Sequence, residues 1–170
     1  IYVTGDLGDS FIGLQILKNK IKVSKELKNY FVQKYYLPDI RIKLTKKLLN
    51  FANSSIDLSD GLIDDLSKMI NNQNLSFSLN ENKIPISKNL LKIIKMKNMK
   101  KIKLVSNGDD YQILFTASKD KSRIIAQTSK NLGIKISKIG KICSNKKRSV
   151  IIDEKGKEIV LKNKGYVHQF

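Results

Sequence analysis

A chain of 170 residues, 41% apolar and 28% charged, can build one well-cored domain and has the make-up of an ordinary globular protein. Its single cysteine, Cys143, and single histidine, His168, exclude an internal disulfide framework, a cysteine-rich zinc site and a histidine-based zinc hydrolase. No apolar run approaches the roughly 18 residues of a membrane-spanning helix. Nothing at the N-terminus reads as a signal peptide, so the cytoplasm is the expected compartment.

Lysine and arginine number 33 against 15 aspartates and glutamates, a formal charge of +18. Such a surface could draw nucleic acid, anionic lipid or phosphorylated metabolites. Only Arg41, Arg123 and Arg148 are arginines, however, whereas phosphate-clamping surfaces favour the bidentate guanidinium. The lysines are spread along the chain among many isoleucines and asparagines, as an AT-rich coding bias would produce. A coding background and a functional basic face both remain open at this point.

Residues 1–4 read as a strand already under way, which implies an upstream part. A glycine-containing turn follows, then a helix over 11–18 with Asp9 or Ser10 as N-cap. A lysine-rich amphipathic helix covers 23–36, and another covers 42–51 with Ile42, Leu44, Leu48, Leu49 and Phe51 on one broad face. Residues 54–58 form a short strand, and Ser59-Asp60-Gly61 turns into a helix with Leu62, Leu66, Met69 and Ile70 at helical spacing. Residues 71–82 look polar and turn-rich, and a helix runs from 87 to about 95. The remainder alternates strands with a helix: a short apolar segment at 102–105, a loop at 106–110, a strand at 111–116 and a helix at 118–132 closed by Gly133. Residues 134–136 with 139–142 read as strand, 149–152 as another, and a turn at 153–156 leads into 158–161. The expected fold is one α+β domain over 1–170, a mixed β-sheet covered by helices.

Acids are scarce, so their clustering carries information. Asp57, Asp60, Asp64 and Asp65 fall within nine residues, and Asp109-Asp110 form a second pair. In Asp57-Leu58-Ser59-Asp60-Gly61 a strand hands over to a helix, with Asp57 and Ser59 expected on one face. Hard cations such as Mg²⁺ want carboxylate oxygens, and the helix N-terminus just beyond offers amides to an anion. Asp60 as a simple helix cap is the plainer alternative, and for Asp64 and Asp65 the preferred reading is first-turn residues favoured by the helix dipole. Asn107-Gly108-Asp109-Asp110-Tyr111 could be an ordinary polar turn, with at most one of its acids facing a shared site. Gly5-Asp6-Leu7-Gly8 could admit a phosphate but matches neither the Walker A pattern nor the dinucleotide fingerprint. Cys143 and His168 read as structural.

In order along the chain, Tyr2 to Ser10, Ile56 to Leu62 with Asp65-Leu66, Gly108 to Thr116 and Gly165 to Phe170 resemble segments of the thiamine-monophosphate kinase family. This family sits in the aminoimidazole ribonucleotide synthetase-like superfamily of ATP-binding enzymes, and the resemblance is to its C-terminal domain. It implies Mg-dependent transfer of the ATP γ-phosphoryl group to thiamine monophosphate, giving thiamine diphosphate. By the same resemblance Asp57 and Asp60 are magnesium ligands, Ser59 contacts ATP, Asp109 touches the thiamine substrate and Tyr166 packs near it. It implies a homodimer when full length, a missing N-terminal half with further metal ligands and ATP contacts, and no nucleic-acid or membrane partner. The chain by itself would then hold half an active site and be inactive alone. Two departures stand out: Pro38-Asp39-Ile40-Arg41 keeps one of the two prolines usual before the arginine, and Asn107-Gly108 keeps one of two glycines. The alternatives are another enzyme of the superfamily with a different acceptor, and a non-catalytic basic module that binds nucleic acid or acidic partners.

Overall fold

The computed structural model describes residues 1–71, 73–144 and 148–160. The elements run β1 (Tyr2–Thr4), α1 (Asp9–Leu17), α2 (Lys25–Tyr36), α3 (Ile42–Leu48), β2 (Ser54–Asp57), α4 (Leu62–Met69) and β3 (Leu75–Asn80). They continue with α5 (Lys88–Lys97), α6 (Lys101–Val105), β4 (Ile113–Thr116), α7 (Ser122–Leu132), β5 (Ile136–Lys138), β6 (Gly140–Ser144) and β7 (Val150–Ile152).

Strands β2-β4-β1-β5 form one sheet, antiparallel throughout. Its residues alternate between two apolar clusters, as a period of two demands. Val3 and Leu114 enter a cluster with Leu58, Leu62 and Leu66, while their neighbours Tyr2 and Phe115 join Leu44, Leu48 and Ile125 under α3 and α7. Tyr2 and Phe115 are cross-strand partners with stacked rings, centroids 5.3 Å apart. A third cluster clamps α1, α2 and α5 through Ile12, Phe31, Leu90 and Ile93.

The expected single mixed sheet is in fact two. Residues 71–82 hold β3, the centre of a second sheet ordered β6-β3-β7, with β6 antiparallel and β7 parallel to it. The serines and asparagines of this stretch read as turn, yet Leu75, Phe77 and Leu79 alternate with Ser76, Ser78 and Asn80. Burial of Phe77 and Leu79 outweighs the low strand propensity of the polar residues between them. The apolar segment at 102–105 is helical, not extended, an ambiguity inherent in short apolar runs. α3 ends earlier than expected, and its proposed face overreaches: Ile42 and Leu49 are 70% and 88% exposed. The N-cap of α1 is Gly8 in a left-handed conformation, which displaces Asp9 into the first turn, where its side chain serves other partners. Beyond β7, Asp153 organises the expected turn, but the returning strand amounts to one bridge, Ile152 to Glu158, among the described residues.

Candidate functional site

Two loops at one end of the antiparallel sheet carry the candidate residues. β2 ends at Asp57 and β4 begins at Ile113, and the ladder between them is extended past the strand ends by main-chain bonds. Leu58 donates its amide to Gln112 (2.8 Å), Tyr111 to Leu58 (2.8 Å) and Asp109 to Ser59 (3.0 Å). The loops touch so closely that a Cβ on Gly108 would lie 1.7 Å from the Ser59 carbonyl oxygen, and one on Gly61 2.3 Å from that of Ser106. Asp109 and Tyr111 both adopt left-handed backbone, at φ +68° and +49°.

Around Tyr111 lie Asp109, Asp57 and Asp60, but the described carboxylates whose oxygens converge are those of Asp60, Asp64 and Asp65, not that of Asp57. Burial raises the pKa of the Tyr111 hydroxyl, and nearby Asp109, Asp57 and Asp60 add to the effect by repelling a phenolate. Asp57 is exposed and Ser59 sits past the strand end, in the turn. Tyr166 and His168 lie outside the described residues.

Asp60, Asp64 and Asp65 bring carboxylate oxygens within 4.8 Å of one another. The ammonium of Lys68 sits among them, bonded to Asp60, at 2.8 Å from Asp64 and 3.4 Å from Asp65. These partners, Asp60 first, hold the lysine pKa well above its ordinary value. For Asp65 the expected first-turn role proves too modest. It is buried, and its Oδ2 accepts the amides of Ser59, Asp60 and Gly61, each at 3.0 Å. One carboxylate therefore ties off the turn that bears Asp57, Ser59 and Asp60. Oxygen-only donors converging beside a cation are the donor chemistry that suits Mg²⁺.

Asp110 turns to the start of α1. Its carboxyl accepts the amide of Gly8 at 2.7 Å and is also bonded by the amide of Ser10, at the start of α1. Burial pushes its pKa up to about 8; those amides pull down while the charges of Asp9 and Asp109 push further up. Asp9 is buried beside it and accepts from Tyr30 Oη (2.8 Å) and Ser87 Oγ (2.7 Å). These two acids help to line a cleft of about 210 Å³ with Asp6, Lys34, Arg41 and Lys135. Gln112 Oε1 accepts from both Thr4 Oγ1 (2.8 Å) and Arg41 Nε (2.9 Å), which holds the guanidinium at the rim. Sequence reasoning passed over Asp9, Asp65 and Asp110 as caps or turn residues.

The chain has the α+β fold of the aminoimidazole ribonucleotide synthetase-like superfamily. It superposes on hydrogenase maturation protein HypE from E. coli with a TM-score of 0.70 at 13% identity, over 95% of this chain and 49% of that one. No family model matches it. By sequence it is a homologue of thiamine-monophosphate kinase: 38% identical to that of Buchnera aphidicola subsp. Acyrthosiphon pisum and 31% to that of Escherichia coli K12, over 99% of this chain in each case. The structure of AaThiL complexed with AMPPCP and TMP superposes with a TM-score of 0.78 at 26% identity, over 99% of this chain and 50% of that one. The chain spans about half the length of the curated relatives it matches, 52% and 51% of these two.

Proposed function

We propose that this chain supplies part of an active site that phosphorylates thiamine monophosphate at the expense of ATP. A phosphate oxygen of thiamine monophosphate attacks the γ-phosphorus, the bond from that phosphorus to the β,γ-bridging oxygen breaks, and ADP leaves with thiamine diphosphate as product. The attacking oxygen is already largely ionised at neutral pH, so the chemistry needs alignment and charge neutralisation rather than a strong base. Asp57 and Asp60 would hold Mg²⁺, which would neutralise the charge on the phosphates. Ser59 contacts ATP, Asp109 faces the cationic thiamine, and Tyr166 supplies an aromatic surface to it.

One observation above the others carries this reading: the Asp109–Ser59 main-chain bond fixes the metal-side and substrate-side loops to each other. The homology to thiamine-monophosphate kinases and the AMPPCP and TMP held by the related structure supply the substrate pair. In this reading the full-length protein is a cytoplasmic homodimer whose other half adds metal ligands and ATP contacts, and the lysine excess is not a nucleic-acid surface. No helix among the described residues is long and apolar enough to cross a membrane.

Calorimetric titration of the chain with thiamine monophosphate, with and without Mg-ATP, is the test, followed by assay of thiamine diphosphate formation after the homologous other half is restored. Product formation that disappears with Asp57→Ala and Asp60→Ala supports the reading. A restored protein that forms no thiamine diphosphate overturns it.

A further inference from the structure

Asp110 lies between two residues, Asp109 and Tyr111, that both adopt left-handed backbone. Aspartate tolerates this conformation better than most L-residues, but a tyrosine rarely adopts it, so Tyr111 persists there only where the surroundings fix it. On one side the loop is held by the carbonyls of Ser59 and Leu58, which receive the amides of Asp109 and Tyr111. On the other side a side chain ties the loop to a distant segment: the Asp110 carboxyl accepts the Gly8 amide, 102 residues earlier, across 2.7 Å. The Ser10 amide adds a second bond to the same carboxyl. Gly8 is the N-cap of α1 and has no side-chain cap of its own, so Asp110 occupies from a distant loop the place that a local capping residue would fill.

We propose that Asp110 is a positioning residue for Asp109: by capping α1 from across the fold it locks the left-handed loop so that its neighbour is presented to substrate. The inference rests on the reading of Asp109 as a substrate contact. It gives the adjacent acids separate tasks. Asp109 is half-buried and stands with Asp57 and Asp60 near Tyr111, whereas Asp110 is buried against α1. An anchor of this kind fixes φ and ψ on both sides of itself, and a substrate residue displaced by an ångström loses much of its effect.

The test compares the chain with its Asp110→Ala and Asp110→Asn variants by hydrogen exchange at the Asp109 and Tyr111 amides, with the Phe115 amide in β4 as internal reference. Urea unfolding, and calorimetric titration with thiamine monophosphate after the homologous other half is restored, complete the comparison. In Asp110→Ala the two loop amides are expected to exchange at least tenfold faster while Phe115 is unchanged, and affinity for thiamine monophosphate falls at least tenfold. Asp110→Asn keeps a carbonyl oxygen for the Gly8 amide and recovers most of both losses. Should the alanine variant fail to fold, Asp110→Ser, which fits the space but cannot reach Gly8, takes its place. Loop amides that keep wild-type rates, or that accelerate only in step with Phe115, overturn the proposal. Wild-type protein that binds no thiamine monophosphate once the homologous other half is restored overturns the substrate role of Asp109 and with it the positioning claim, while the exchange data separately show whether the anchor exists.

Discussion

The amide of Asp109 donates to the carbonyl of Ser59 across 3.0 Å, joining residues 50 positions apart on the two loops that carry the candidate chemistry. The bond runs between main chains, so it holds whatever the side chains of these residues do. Only Gly108 allows it, because any Cβ there would meet the Ser59 carbonyl oxygen at 1.7 Å. Gly108→Ala must therefore push the loops apart. The expected cost is about 3 kcal/mol, at the upper end for overpacking because backbone rather than a pliant side chain must yield. Urea unfolding measures it, and wild-type stability in this variant would refute the close approach.

Asp65→Ala removes the acceptor of three amides, those of Ser59, Asp60 and Gly61. Leaving buried donors unsatisfied costs about 1–3 kcal/mol each when no water reaches them. The turn is partly open to solvent, so a total of about 3 kcal/mol is expected by chemical denaturation. Asp65→Asn should cost less, since one carbonyl oxygen remains.

Lys68 and a divalent cation compete for Asp60 under the proposed metal role. Manganese binding, followed by electron paramagnetic resonance, should weaken at least tenfold in Asp60→Asn. It should tighten in Lys68→Met, which removes the ammonium bonded to Asp60 and Asp64 but keeps the length of the side chain. Equal affinities in all three proteins would remove Asp60 from the metal site.

Asp110 makes stability depend on pH in a stated direction. Its carboxyl titrates near 8 when folded, chiefly because it is buried, against about 3.9 in an unfolded chain. The folded state thus holds a proton that the unfolded state releases, and this group's contribution is fully present below pH 4 and lost as pH rises towards 8. The slope it contributes approaches 1.4 kcal/mol per pH unit at most. Urea midpoints taken from pH 5 to 8 should fall less steeply in Asp110→Asn than in wild type; parallel curves would place the titration elsewhere.

The sequence made the acidic turn legible because aspartates at 57 and 60 are conspicuous beside a strand-to-helix handover in so basic a chain. The positions of β1, β2, α4 and α7 were legible for a similar reason, since apolar spacing and glycine punctuation agree there. The second sheet was not, because β3 hides its alternation among serines and asparagines and pairs with residues 61 to 72 positions away. Asp65 and Asp110 escaped for another reason. Their worth lies in amides supplied by other segments, and the Gly8–Asp110 bond has no local trace.

The join between the two loops is a contract between peptide groups, and this bears on how far such a chain can drift. The half-buried side chains at Ser59 and Asn107 can change without removing a donor or acceptor from the three main-chain bonds, provided the glycines and the carboxylates of Asp65 and Asp110 stay. A site whose spacing is written in backbone atoms would be among the last features to lose its shape.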